Sequence, residues 1–179
     1  MFRTVRNLMC TPLLVAACSG GTSPAAPRAT GTDATGTSAQ LTDADVSARA
    51  LASGGWTYYK RSLDTLVRAG GSGHVESRLR TRFNVAAATQ LDANGKVRVG
   101  AVFPESSLVV KELYSGSTLS RFAVMMKVSG SPNASTGGWL WAYYGTDGAT
   151  QISISGKGGG CAGCHASGID FTRMNDSHP

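Results

Sequence analysis

Residues 106–130 read SSLVVKELYSGSTLSRFAVMMKVSG, and this stretch decides the fold. It holds two runs of apolar and β-branched residues, bounded and separated by serine and glycine, which is the pattern of two strands and a turn. Strands joined by so short a turn pair only as antiparallel neighbours, because a parallel pair needs a long crossover. The stretch therefore predicts two adjacent strands of an antiparallel sheet.

Similar segments lie on both sides of this pair. After it, residues 137–148 and 149–156 are again runs of strand-forming residues bounded by turn formers. Before it, Asn94-Gly95 predicts a two-residue hairpin turn, because both residues tolerate the left-handed backbone that such turns need. The alternating residues after that turn predict a half-buried strand: Val97, Val99, Ala101 and Phe103.

The region before the strands predicts helix. Apolar residues recur at helical spacing from residue 41 onward, Thr42 and Asp43 are suitable N-caps, and glycines at 70, 71 and 73 end the segment. We expect one or two short helices here. The fold class that follows is α+β, mainly β: an antiparallel sheet of about five strands with N-terminal helices and a C-terminal segment packed on the sheet.

The positive charge of the chain does not indicate nucleic-acid binding. The formal net charge is +6, but the basic residues form no continuous run. The densest patch is Arg78, Arg80 and Arg82, which alternate along one predicted strand. A nucleic-acid footprint needs clustered positive charge. We therefore expect a solvated strand face and no nucleic-acid partner.

Residues 1–18, MFRTVRNLMCTPLLVAAC, have a basic start and a short apolar run that is typical of an export signal. The run is too short to span a bilayer. Its ending, LVAAC, resembles the lipobox of bacterial lipoproteins, in which the cysteine is lipidated; this predicts an anchor at Cys18. The alternative is an ordinary cleaved signal with an incidental cysteine.

Residues 19–40 are small and polar, and such a composition cannot bury enough apolar surface to fold. They predict a flexible tether between the signal and a domain at residues 41–179. The combination places the domain on the periplasmic side of a bacterial membrane, to which the lipid anchor alone attaches it.

The sequence CAGCH at residues 161–165 is a Cys-x-x-Cys-His motif. Because Cys10 would leave with the signal and Cys18 would carry lipid, the two motif cysteines have no other cysteine to compete with. The motif is typical of c-type haem attachment: Cys161 and Cys164 would form thioethers with the haem, and His165 would bind the iron. The motif therefore predicts one covalently bound haem c, held by the C-terminal segment.

Two other uses of the motif stay open at this point. A pair of cysteines with this spacing also occurs in redox-active dithiols. A zinc site would need a fourth ligand besides Cys161, Cys164 and His165, which His74 or His178 would supply.

The sixth iron ligand decides between catalysis and electron transfer. Met174 lies on a short tail, His178 is the penultimate residue, and Met125 and Met126 lie on a predicted strand with one side chain on each face. His74 lies in a glycine-rich turn. In small electron-carrier cytochromes, a methionine well downstream of the haem motif binds the iron. None of the residues above has that position. We therefore expect a five-coordinate iron that is open to a small ligand.

Four segments together resemble the cytochrome P-460 family and its relative cytochrome c′-beta. These are RLRTRFNVAA, FPESSLVVKELYS, GGWLWAYYG and CAGCHASGIDFTRM, within residues 74–174 and in the order of the family. The resemblance implies a mostly antiparallel β fold, a homodimer, and a haem iron open on its distal side.

In the P-460 branch a lysine at the position of Lys111 is covalently joined to the haem, so the resemblance implies a possible cross-link there. The residues around Lys111 agree with an inward orientation, because apolar residues lie on both faces of this strand. There are two alternatives for Lys111. It could be an edge lysine that opposes aggregation, or it could cover apolar surface with its stem. Lys157 lies closer to the motif but in a glycine-rich loop, where we expect it to be solvated.

The function that the resemblance implies is hydroxylamine oxidation, to nitrous oxide or nitric oxide, with electrons passing to a periplasmic acceptor. This reaction needs a proton acceptor beside the bound nitrogen. The family has a carboxylate there, and the candidates near the matching strands are Glu105, Glu112 and Asp147.

The alternative function is binding of nitric oxide or carbon monoxide, as in cytochrome c′-beta, without a cross-link. Phe103, Phe122 and Trp141 would then line an apolar distal pocket. A third interpretation, a haem electron carrier, needs a sixth ligand.

Overall fold

The structure is a computed structural model, and it describes residues 40–173. The predictions for the signal, Cys18, most of the tether, Met174 and His178 lie outside the described residues.

The described part is built on one antiparallel sheet, which confirms the predicted α+β, mainly β class. The sheet order is β1-β3-β4-β5-β6-β7, and β2 also pairs with β3. The strands are β1 (Thr57–Tyr58), β2 (Leu66–Val67), β3 (Arg78–Phe83), β4 (Leu108–Ser115), β5 (Thr118–Lys127), β6 (Trp139–Gly145) and β7 (Thr150–Ile152). The helices are α1 (Asp43–Leu51), α2 (Val85–Ala88) and α3 (Gly159–His165).

The stretch 106–130 forms the hairpin β4–β5, as predicted. Its register pairs Lys111 with Ala123 and Val109 with Met125. Gly116 takes a positive φ of 63° in the turn, a conformation that glycine adopts without strain. Strand β6 continues the same rows, with Tyr143 opposite Ala123 and Trp141 opposite Met125.

The two faces of the sheet carry two separate cores, because successive side chains on a strand point to opposite faces. One face packs against α1 through residues such as Val110, Val124 and Tyr144. The other face packs against α2 and the C-terminal segment through Phe83, Val109 and Trp139. Met126 belongs to the first core and Met125 to the second, so the predicted split of the two methionines is confirmed.

The N-terminal region contains one α-helix. Thr42 is its N-cap and forms a capping box with Asp45, while Val46 and Ala50 are buried against the sheet. The second predicted helical part is instead a 3-10 turn at Tyr59–Arg61 and the two-residue strands β1 and β2. These strands extend the sheet to seven strands; the five longer ones agree with the predicted number.

The strand predicted after Asn94-Gly95 is wrong, and the turn is wider than the predicted two-residue turn, because the Asp92 amide donates to the Lys96 carbonyl and Asn94 does not have a positive φ. Gly95 has a φ of 75°, and Leu91 and Val97 form an isolated bridge. The chain then bends at Gly100, whose φ is 71°, so no ladder continues. As a result Val99 is 98% exposed, whereas Phe103 is buried.

The solvated arginine face predicted for β3 is also wrong in part. Arg82 is only 7% exposed, because α1 and Trp56 cover it. Its guanidinium donates to the Ala50 carbonyl at 2.7 Å. Arg80 and Arg82 both pair with the buried Glu112 carboxylate, at 2.6 and 3.2 Å. Arg82 thus holds α1 on the sheet, and Arg80 bonds to Glu112 and to the Leu63 carbonyl.

The C-terminal segment is fastened to the second face by a tight turn at 169–172. Asp170 and Phe171 both have positive φ in this turn. The Asp170 carboxylate accepts from Lys127 Nζ at 3.0 Å and from the Phe103 amide at 2.8 Å. These bonds fix the position of α3. Within residues 40–173, no helix has the length and apolar character that a membrane crossing requires.

Candidate functional site

A cavity of about 400 Å³ lies on the second face of the sheet. Strands β4, β5 and β6 form its floor, α3 closes one side, and the loop at residues 72–74 forms another. The side chains that carry its chemistry are His74, Lys111, Tyr143, Cys161, Cys164, His165 and Arg173. The cavity therefore brings together Lys111 and the whole Cys-x-x-Cys-His motif, which lie about 50 residues apart in the chain.

The sheet register explains why these groups meet. Lys111, Ala123 and Tyr143 form one row across β4, β5 and β6, so their side chains share a face. Val109, Met125 and Trp141 form the next row and supply apolar floor beside them.

Helix α3 places the motif against this floor. Gly158, just before it, has a φ of 82°, and a Cβ here would lie 2.5 Å from the Trp141 ring. Glycine thus permits both the backbone turn and the close approach of α3 to β6. The His165 ring packs edge-on against Trp141, with ring centres 4.8 Å apart.

His165 is oriented by a backbone contact. Its Nδ1 lies 2.8 Å from the Phe171 carbonyl oxygen, so Nδ1 is the nitrogen that carries the proton. A histidine held in this way keeps Nε2 as the ligand atom, the usual arrangement around bound metal. The tight turn at 169–172 therefore both fastens α3 and selects the tautomer of His165.

The two thiols are free rather than joined in a disulfide. Burial raises the pKa of the Cys161 thiol, and the nearby Cys164 adds to this. Redox-active dithiols depend on a lowered thiol pKa, so this environment does not favour the dithiol alternative. In the part of the chain that the structure describes, no three His, Cys, Asp or Glu side chains converge as a metal-ion site.

Lys111 is a buried cation. It is only 7% exposed, and burial together with the charge of Arg173 lowers its pKa from 10.5 to about 8. Among residues 40–173 no carboxylate pairs with it. Lys111 is therefore an amine that is partly neutral near pH 7 and faces the same cavity as the cysteines.

The three carboxylates predicted as proton acceptors are elsewhere. Glu112 lies on the opposite face, where it pairs with the β3 arginines and accepts from the Tyr114 hydroxyl. Glu105 accepts from the Ser129 amide, and Asp147 caps the β6–β7 turn through the Ala149 amide. Of the described residues that line the cavity, none is Asp or Glu.

The three aromatic residues that were predicted to line the pocket do not all lie on the same face of the sheet. Trp141 lines the cavity. Phe103 belongs to the same core and packs against Trp139, behind the lining. Phe122 belongs to the core under α1, so its prediction as a pocket wall is wrong. Lys157 is exposed, as predicted.

The sequence analysis missed a polar pair at the cavity wall. Tyr143 Oη lies 2.7 Å from His74 Nδ1. The Arg121 guanidinium stacks 4.7 Å from the centre of the Tyr143 ring and pairs with the buried Glu76 at 2.6 Å. The alternation of WLWAYY placed Tyr143 on the face of Trp141, but nothing in the sequence placed residues 74 and 76 beside it.

No family model, curated protein or solved structure matches this chain. The resemblance to cytochrome P-460 therefore stays a prediction, and the function must be argued from the cavity.

Proposed function

We propose that this protein is an exported mono-haem c-type cytochrome that oxidises hydroxylamine. Haem c would be attached through Cys161 and Cys164, with His165 as the axial ligand of an otherwise open iron. The observation that carries the proposal is the position of Lys111, a buried amine in the same cavity as the Cys-x-x-Cys-His motif.

The residues present fit such a group. The cavity volume of about 400 Å³ is in the range of cofactor pockets, which are mostly apolar with few polar groups. Val109, Met125 and Trp141 would provide apolar contact, and the contact of His165 Nδ1 with the Phe171 carbonyl makes Nε2 the unprotonated ring nitrogen. Cationic Arg173 in the lining suits the carboxylate groups that haem carries.

Lys111 has the chemistry for a covalent link to the haem edge. A neutral amine is a nucleophile, and the lowered pKa raises its neutral fraction. Such a link would require the Lys111 nitrogen and a haem carbon each to lose a hydrogen, and a two-electron oxidant such as peroxide or dioxygen to accept the two electrons. The lysine stem would then lie along the floor formed by β4 and β5.

Bound haem would supply the open coordination site and the path for electrons. Oxidation of hydroxylamine releases protons and electrons in equal numbers, so electrons must pass to a periplasmic one-electron acceptor and protons to a group of the chain. The proposed setting is a homodimer held at the periplasmic side of the membrane by lipid at Cys18.

The test is the absorption spectrum of the full chain, exported together with c-haem maturation, in wild type and in Lys111→Ala. We expect a red-shifted Soret band and hydroxylamine oxidation in wild type, both lost in Lys111→Ala. Lys157→Ala is the matched control, because Lys157 is exposed near the motif. Failure to attach haem, or an activity that survives Lys111→Ala, would contradict the proposal.

Binding of nitric oxide or carbon monoxide is the second candidate, and one observation favours it: the described lining contains apolar side chains and no carboxylate. In that case Lys111→Ala leaves an ordinary high-spin c-haem spectrum unchanged, and wild type binds carbon monoxide but does not turn over hydroxylamine. A low-spin spectrum at rest would instead indicate a sixth ligand and an electron carrier.

A further inference from the structure

We propose that His74 and Tyr143 act together as the proton acceptor of the cavity, with Tyr143 as the relay and His74 as the base. This inference rests on the proposed function, which requires a group to take protons from the bound ligand. It assigns that role to a histidine–tyrosine pair instead of the carboxylates that the sequence suggested.

The geometry of the pair carries the inference. Both residues line the cavity, and Tyr143 Oη and His74 Nδ1 are 2.7 Å apart, which is a short hydrogen bond. Tyr143 lies in the same cross-strand row as Lys111, so its hydroxyl faces the space in which a ligand would bind. A phenol oxygen can donate to one partner and accept from another at the same time.

The other titratable groups of the lining do not suit the role. Arg173 keeps its proton at all relevant pH values. In the proposed function both cysteines and His165 are bound to the haem, and Lys111 is consumed in the cross-link. Burial raises the pKa of Tyr143 to about 12, so the phenol does not ionise by itself. Imidazole is the side chain that changes charge between about pH 5 and 8, and His74 is the lining imidazole that remains.

In the proposed transfer, Tyr143 gains one proton from the ligand and gives one proton to His74. A ligand N–H or O–H gives its proton to Tyr143 Oη, and the Tyr143 hydroxyl proton passes to His74 Nδ1. Tyr143 ends as it began, and His74 becomes an imidazolium that releases its proton to solvent. Neither step leaves a charge on the phenol, which is what its raised pKa requires.

Charged groups around the pair hold it in place and set its pH response. Arg121 lies over the Tyr143 ring and is held by Glu76, two residues after His74. The ion pair thus joins β5 to the segment that carries His74, and the contact of Arg121 with the ring links Tyr143 on β6 to both. From the other elements, Cys161 on α3, Lys111 on β4 and Arg173 also face this cavity.

The experiment compares haem-loaded full-length wild type with His74→Asn and Tyr143→Phe. Asn keeps a polar atom near the position of Nδ1 but cannot take up a proton. Tyr114→Phe is the control, since Tyr114 lies outside the cavity and bonds to Glu112. We expect hydroxylamine turnover to fall about 100-fold or more in each cavity variant, and the double variant to be no worse than either single one, because the two act as a unit.

Cyanide binding to the ferric protein gives a readout that does not depend on turnover. Hydrogen cyanide must lose its proton on binding, so the association rate of wild type and Tyr114→Phe should rise between about pH 5 and 8. The two cavity variants should lose that rise. If wild type does not oxidise hydroxylamine but shows this pattern, the proposed function fails and the pair stands. A variant that keeps both the turnover and the pH profile of wild type overturns the pair.

A third measurement applies even where haem is not attached. The ring of His74 is followed by NMR against pH in wild type and Tyr143→Phe. In the proposed arrangement the Tyr143 hydroxyl donates to Nδ1 and favours the neutral imidazole, so removing the hydroxyl should raise the titration midpoint. An unchanged midpoint would show that the two residues are not coupled and would overturn the proposal.

Discussion

Replacing Lys111 by Met should stabilise the haem-free protein at neutral pH. The pKa of Lys111 falls from 10.5 in the unfolded chain to about 8 in the cavity, mainly because burial disfavours the charged amine. At about 1.4 kcal/mol for each pH unit, this drop corresponds to a cost of about 3 kcal/mol. Met keeps the apolar stem against the β4–β5 floor and removes the charge.

The sign of the pH dependence follows from proton binding. Below about pH 8 both states are protonated, and the whole cost is present. Between about pH 8 and 10.5 the unfolded chain binds more protons at this site than the folded protein, so stability rises with pH. The advantage of Lys111→Met should therefore be about 3 kcal/mol at pH 7 and close to zero above about pH 10.5.

Urea unfolding, followed by tryptophan fluorescence on protein made without the export signal, measures this difference. With an m-value of about 2 kcal/mol/M, the midpoint at pH 7 should rise by about 1.5 M. Lys157→Met is the control, because an exposed loop lysine should change the free energy of unfolding by less than about 0.5 kcal/mol. If Lys111→Met gains less than about 1 kcal/mol at pH 7, or gains equally at pH 7 and above about pH 10.5, then Lys111 does not carry a costly buried charge.

Three other changes test the turn at 169–172, the close approach of α3 to β6 and the predicted lipid anchor. Asp170→Ala should lower the free energy of unfolding by about 3 kcal/mol, since it leaves the nearly buried Lys127 without its partner; thermal unfolding measures this. Gly158→Ala should lower the yield of haem-loaded protein on export, because its Cβ would overlap the Trp141 ring and its φ is positive. Cys18→Ala should move the exported protein from the membrane fraction to the soluble periplasmic fraction, as fractionation and immunoblotting would show.

Each of these has a matched control in the chain. Asp64→Ala removes an exposed aspartate that bonds only within its own loop and should cost little. Gly54→Ala meets nothing within 4 Å and should leave the haem yield unchanged. Cys10→Ala should leave the protein in the membrane fraction. If Asp170→Ala costs no more than Asp64→Ala, the turn at 169–172 does not anchor α3.

The parts of the fold that the sequence predicted are those set by local pattern. Strands β4 to β7 follow runs of β-forming residues between turn formers, and Thr42 caps α1 as its side chain indicates. The failed strand at 97–103 has an equally regular pattern, but the backbone at Gly100 turns away from the ladder. Alternation shows which residues could share a face and does not show whether a partner strand is present.

The sequence predicted those site residues whose own segment indicates their chemistry. It did not predict the residues that join the site only because distant segments meet in the fold. The cysteines, His165 and Lys111 stand out in the sequence, and the structure places them in one cavity. His74 looked like a residue of a loose glycine-rich turn. The role that we propose for it depends on Arg121 and Glu76, whose ion pair joins β5 to that loop and has no signature in either segment.

The neighbouring residues Lys111 and Glu112 show how a buried charge can indicate function. Glu112 is buried on the face that packs against α1, but two arginines and a tyrosine hydroxyl satisfy its carboxylate, so it serves the packing of that face. Lys111 points to the other face, where the described residues provide no carboxylate partner and a cation, Arg173, lies nearby. Packing alone does not account for an amine in that position, because any apolar side chain of similar length would fill it at lower cost. A covalent partner that removes the charge would account for it, and the adjacent thiols and oriented imidazole identify haem as the partner that we propose.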